Sequence, residues 1–113
     1  MIEDYQALLG EVETTVLTMG FYKSQDDEYE AMFLNESGWF ISFEGERYVR
    51  PAFELSIGKE DLKFSVRLLM TVFNVTDKPS LSKQLRFVEE RSSDLFVSPP
   101  PYLAEYQKVD QVV

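Results

Sequence analysis

The hydrophobic period of this chain changes twice, and any fold it adopts must accommodate three regimes in sequence. Between residues 2 and 19, Ile2, Tyr5, Leu9, Val12, Val16 and Met19 recur at alternating spacings of three and four, while Glu3, Asp4, Glu11 and Glu13 fall elsewhere. Apolar residues so spaced line one side of a helix, so an amphipathic helix is expected here. Gly10 weakens it by about 1 kcal/mol relative to alanine, and Gly20 stands where a helix C-cap belongs. From residue 29 the period drops to two. Tyr29, Ala31 and Phe33 alternate with Glu30, Met32 and Leu34, and Asn35-Glu36-Ser37-Gly38 makes a turn. Trp39, Ile41 and Phe43 then alternate with Phe40, Ser42 and Glu44, a second turn falls around Gly45, and a third extended segment begins at Tyr48. In that segment Phe53, Leu55 and Ile57 share a face, and Pro51, which cannot donate to a ladder, implies a bulge or an edge position.

The period lengthens again after residue 61, with an ambiguity. In "LKFSVRLLMTVF" (62–73) apolar residues satisfy both an alternating and a helical template. The helical reading from Ser65 is preferred, because serine can cap and the segment runs into turn-forming Asn74 and Asp77-Lys78-Pro79. Ser80 can cap a further helix that carries Leu81, Leu85 and Val88 inward and ends near Ser92-Ser93-Asp94. Pro99 to Pro101 form a stiff corner, after which Tyr102, Leu103, Tyr106 and Val109 mark a last short helix. The expected architecture is α+β in one domain spanning 1–113: an N-terminal helix, an antiparallel meander of three to four strands, then two to three C-terminal helices packed on the sheet.

Composition bounds the functions. A chain of 113 residues with 44% hydrophobic and 14% aromatic residues can build its own core. With no cysteine there is no disulfide framework, no stretch is apolar enough for a membrane span, and the acidic start does not resemble a secretory signal, so a cytoplasmic location is expected. The triplets at Asn35 and Asn74 that match glycosylation acceptors then count as chance. The net charge of −9 is unevenly spread: residues 1–46 hold eleven acids against Lys23 alone, whereas residues 47–113 hold nine acids against ten bases. Such a surface disfavours direct contact with nucleic acid or anionic membranes and favours a basic protein.

The usual apparatus of catalysis is missing. No histidine and no cysteine are present, which removes the commonest general base and the familiar zinc constellations. Asp26, Glu28 and Glu30 fit the first positions of a calcium loop, but Ala31 stands where its glycine belongs and Ser37 where its bidentate glutamate belongs. Glu46 with Asp61-Leu62-Lys63 has the makings of a magnesium site at a spacing common by chance. The five glycines are dispersed, so none forms a phosphate-cradling loop. Neither a catalytic residue, a metal nor a cofactor is expected.

What stands out instead is "SQDDEYEAMF" (24–33). Asp26, Asp27, Glu28 and Glu30, at the same end of the meander as Glu44 and Glu46, are expected to form one acidic surface, with Tyr48 as a buried aromatic contact beside it. Glu36 belongs to the turn at the opposite end. Strand parity sends Trp39 inward with Ile41 and Phe43 and leaves Phe40 facing the other way with Met32 or Leu34, so either helices cover both faces of the sheet or one patch awaits a partner.

In order, "MGFY", "WFISFEGERYVRPAFELSI", "SVRLLMTVF" and "SLSKQLRFVEERSSDLF" with "YLAEY" resemble the small immunity proteins of bacterial contact-dependent inhibition and polymorphic toxin systems. The resemblance implies a protein that binds a delivered toxin domain, expected to be a basic nuclease, and covers its active site with acids. The chain is also similar to secretion chaperones of effector proteins, which are small and acidic and offer apolar patches such as Met32, Leu34 and Phe40 would make. An acidic mimic of nucleic acid would need its charges in longer rows. The oligomeric state is not fixed by the sequence, although a monomer is the simpler expectation.

Overall fold

The computed structural model describes residues 2–27, 30–45, 53–75 and 80–112. The chain folds as α+β, with an N-terminal helix, a five-stranded antiparallel meander and C-terminal helices. Helix α1 (Ile2–Thr18) leads, followed by β1 (Tyr22–Asp26), β2 (Glu30–Leu34), β3 (Trp39–Gly45), β4 (Phe53–Lys59) and β5 (Leu62–Ser65), each paired with the next. Helices α2 (Val66–Val72), α3 (Leu81–Glu90), α4 (Ser92–Leu95) and α5 (Leu103–Val112) complete it.

The sheet has five strands, one more than the upper end of the three to four expected. Segment 22–26 reads as an acidic loop because all five of its residues are exposed and no apolar alternation marks it. It pairs with β2 as an edge strand, Tyr22 opposite Leu34 and Asp26 opposite Ala31, with an irregularity between Lys23 and Gln25. The ambiguity at 62–73 resolves into both answers: residues 62–65 are β5, and the helix starts directly after Ser65. The hairpin between β4 and β5 turns on Glu60 and Asp61, with Glu60 held at φ 56, a left-handed conformation that glycine adopts at less cost.

Local signals for the ends of elements translate into observed caps. Gly20 at φ 90 closes α1, with its N–H bonded to Leu17 O and that of Phe21 to Val16 O, the paired bonds of a Schellman motif. Asn74 at φ 61 does the same for α2, where Val75 N–H reaches Met70 O at 2.8 Å. Ser80 accepts from Lys83 N–H at the start of α3, as its position suggests. Ser65 stands at the N-cap of α2 but makes no cap bond, and its hydroxyl is buried with no hydrogen-bond partner among the described residues. The turn between β2 and β3 is held by Asn35, whose Oδ1 accepts from Ser37 and Trp39 N–H.

Among the described residues, the ring contacts between helices and sheet lie on one face of the sheet. Tyr5 of α1 stacks on Phe43 and Phe53, Trp39 meets Phe96 edge-on, and Phe64 is flanked by Tyr102 and Tyr106. Trp39, Ile41, Phe43, Leu55 and Ile57 on that face are buried. The N–H of Ser65 donates to Tyr106 Oη at 2.8 Å, so α5 closes off the end of the β5 edge. At the core's border Gly45 lies under Tyr5, where a Cβ would come within 2.7 Å of the ring.

Candidate functional site: a carboxylate row on the open sheet face

The second face of the sheet is different in kind. Residues of alternate parity line it: Glu30, Met32 and Leu34 from β2, Phe40, Ser42 and Glu44 from β3, Glu54, Ser56 and Gly58 from β4, and Lys63 and Ser65 from β5. Register decides what meets there. Glu30 is directly opposite Glu44, and Glu44 is directly opposite Glu54, so three glutamates stand in a row across three strands. Like charges in directly opposed positions repel, and this arrangement costs stability unless something offsets it.

The offset is partial and uneven. Lys63 reaches across the sheet to Glu44 at 2.7 Å, Ser42 Oγ donates to the same carboxylate at 3.3 Å, and Arg67 lies 3.9 Å from Glu54. Among the described residues, the Gln25 amide donates to the Glu30 carboxylate at 3.2 Å, and no cation is paired with it there. The hydrogen bond from Lys63 accordingly holds Glu44 below the usual carboxylate range, against an opposing effect of burial. Burial, the charge of Glu44 and a hydrogen bond shared with Glu44 push Glu30 above that range, Asp27 adding to the effect and Lys63 opposing it. Glu30 is thus the member of the pair that takes up a proton first. Tyr5, under the same end of the sheet, has its phenol pushed up to about 12 by burial and then by the charges of Asp26, Asp27, Glu30 and Glu44.

Of the acids expected to act together, the structure brings Asp27, Glu30 and Glu44 to one end of the sheet. The Asp27 carboxylate accepts the Glu30 N–H at 2.8 Å, and the Asp27 N–H donates back to Glu30 O at 2.9 Å, which ties the two residues together. Asp26 turns to the helix side, where it meets Lys23 at 2.9 Å, and Lys23 also bridges to Glu13 of α1. Glu36 lies in the turn at the opposite end of β3. Glu28, Glu46, Tyr48 and Pro51 lie outside the described residues. Sequence reasoning missed Glu54 and Lys63. Glu54 joins the row only because the pairing after the β3–β4 connection sets Gly45 opposite Phe53, and nothing local announces that register.

Beyond the row lies an apolar strip. Met32, Leu34 and Phe40 are half-buried, yet they belong neither to the hydrophobic core nor to the residues packed around it. Tyr22, opposite Leu34 on the edge strand, is 55% exposed. The Phe40 ring rests on Gly58, where a Cβ would meet it at 2.4 Å. No group of carboxylates among the described residues is arranged to hold a metal ion, and no helix among them is long and apolar enough to cross a membrane. No protein-family model matches this chain, and neither a curated protein nor a solved structure proves similar to it.

Proposed function

We propose that this protein is an immunity protein that binds a cationic toxin domain in the cytoplasm of the cell it protects and neutralises it by covering the toxin's active site. The observation that carries this reading is the row Glu30, Glu44 and Glu54, set directly opposite one another on the sheet face turned away from the core, with the Glu44 and Glu54 side chains 38% and 41% exposed. Lys63 and Arg67 offset the repulsion only in part and leave Glu30 opposed to Glu44; a cationic partner that supplies lysines and arginines to the row turns the remaining repulsion into attraction. The charge of the first 46 residues points to the same partner chemistry, and a basic nuclease, whose cleft must attract phosphates, has that chemistry. The resemblance in texture to small immunity proteins agrees with it, and inhibition by coverage asks for no catalytic group.

The test is protection. A toxin domain encoded beside this gene is expressed in a sensitive bacterium with and without the protein. Growth is restored by the wild type and lost when Glu30, Glu44 and Glu54 are all changed to lysine. Failure of the wild type to protect against any neighbouring toxic gene product contradicts the reading.

A further inference from the structure

We propose that the docking surface for this cationic partner takes in both ends of the sheet face opposite the core, and that the partner lays an amphipathic element along the strands: apolar side chains on Tyr22, Leu34 and Phe40, lysines or arginines on Glu30, Glu44 and Glu54. The inference rests on the reading of the protein as an inhibitor of a cationic domain and adds the part of the surface that charge alone does not supply. Three observations carry it. The apolar strip is continuous across three strands, since Tyr22 is opposite Leu34 and Leu34 is opposite Phe40. It is not used by the protein's own core. It is also preformed, because Phe40 lies down on Gly58 and not out in solvent.

Charge selects the occupant. A second copy of the chain docked by this face through a two-fold axis would set its acid row either against the same row or against the strip of Leu34 and Phe40. The first is repulsive and the second buries carboxylates in apolar contact. A partner with cations at one end and apolar groups at the other meets neither penalty. The dimensions suit one element: Glu30 and Leu34 are four residues apart on β2, about 13 Å, which a helix spans in roughly nine residues. Carboxylates exposed at the rim steer association, while the buried apolar contacts slow dissociation.

The experiment uses the full chain and three synthetic peptides followed by amide chemical shifts. One helical peptide carries leucines at i, i+3, i+4 and i+7 in one half and lysines at the same spacing in the other; the second has lysines alone; the third has leucines with neutral polar residues. The block peptide is expected to shift amides at both ends of β2 and β3 and to bind about tenfold more tightly than the lysine peptide. Tyr22→Ser combined with Leu34→Ser removes that gain, and Leu17→Ser, at an exposed leucine of α1, leaves it intact. Equal binding of the two lysine-bearing peptides, or loss on Leu17→Ser instead, overturns the apolar half of the surface while the inhibitor reading stands. Absence of binding by both lysine-bearing peptides removes the charge on which that reading itself depends. Binding of the neutral leucine peptide as tightly as the block peptide overturns the proposal in favour of a chaperone that captures apolar segments.

Discussion

Two glutamates opposed across neighbouring strands do not share their cost equally. Lys63 commits to Glu44, so Glu30 is left with the burial and the repulsion. The two therefore respond to pH in opposite senses. The folded value of Glu44 is lowered, so its contribution to stability is present above the unfolded carboxylate pKa and is lost as pH falls through the folded one. That of Glu30 is raised, so its contribution is present below the unfolded value and is lost as pH rises through the folded one. At neutral pH Glu30→Gln is expected to stabilise the fold by about 0.5 kcal/mol, and Glu44→Gln to destabilise it by a similar amount, because it strands Lys63. Urea unfolding at pH 7 and again near pH 4 checks both signs; the benefit of Glu30→Gln shrinks at the lower pH, since the wild-type carboxyl is then largely neutral.

Among the elements, β5 and α5 are tied together by a polar contact set in an aromatic cluster. Tyr106 Oη accepts the Ser65 N–H at the junction of β5 and α2, and its ring meets Phe64 at a centroid distance of 4.9 Å. Tyr106→Phe keeps the ring and orphans the amide, and it is expected to cost about 1–2 kcal/mol by chemical denaturation, with faster exchange of the Ser65 amide. An unchanged midpoint and unchanged exchange would mean that water serves the amide equally well. The element scale also shows what the sequence makes legible. Helix α1, its cap at Gly20, the Asn35–Gly38 turn and the inward Trp39 follow from period and turn chemistry. Strand β1 does not, because an edge strand exposed along its whole length needs no apolar alternation. Glu54 does not, because its register is set by pairing with β3 beyond a long connection, a tertiary outcome. Asp26 has the composition of the acidic surface but the parity of the helix side, where Lys23 takes it.

The molecule builds its core on one face of its sheet and carries the glutamate row and the apolar strip on the other. The core side carries the ring packing of Tyr5 from α1 and Tyr106 from α5 and the aliphatic packing of α2; the other side carries a polarised surface, acidic at the Glu30 end of β2 and apolar at the Leu34 end. The central claim is that this other side is the contact surface for a cationic partner. It is tested most directly by measuring the association rate with the cognate toxin domain across a salt series for two charge-reversed proteins. One carries Glu30→Lys, Glu44→Lys and Glu54→Lys on the sheet face; the other carries Glu89→Lys, Glu90→Lys and Glu105→Lys at exposed positions of α3 and α5. The two reversals change the net charge equally. The account predicts that the sheet-face protein associates at least tenfold more slowly at low salt, with a much flatter salt dependence, and that the helix-face protein stays within a few-fold of the wild type. Equal slowing of both proteins would mean that net charge alone steers the encounter, and slowing of the helix-face protein alone would place the contact surface on the other side of the molecule.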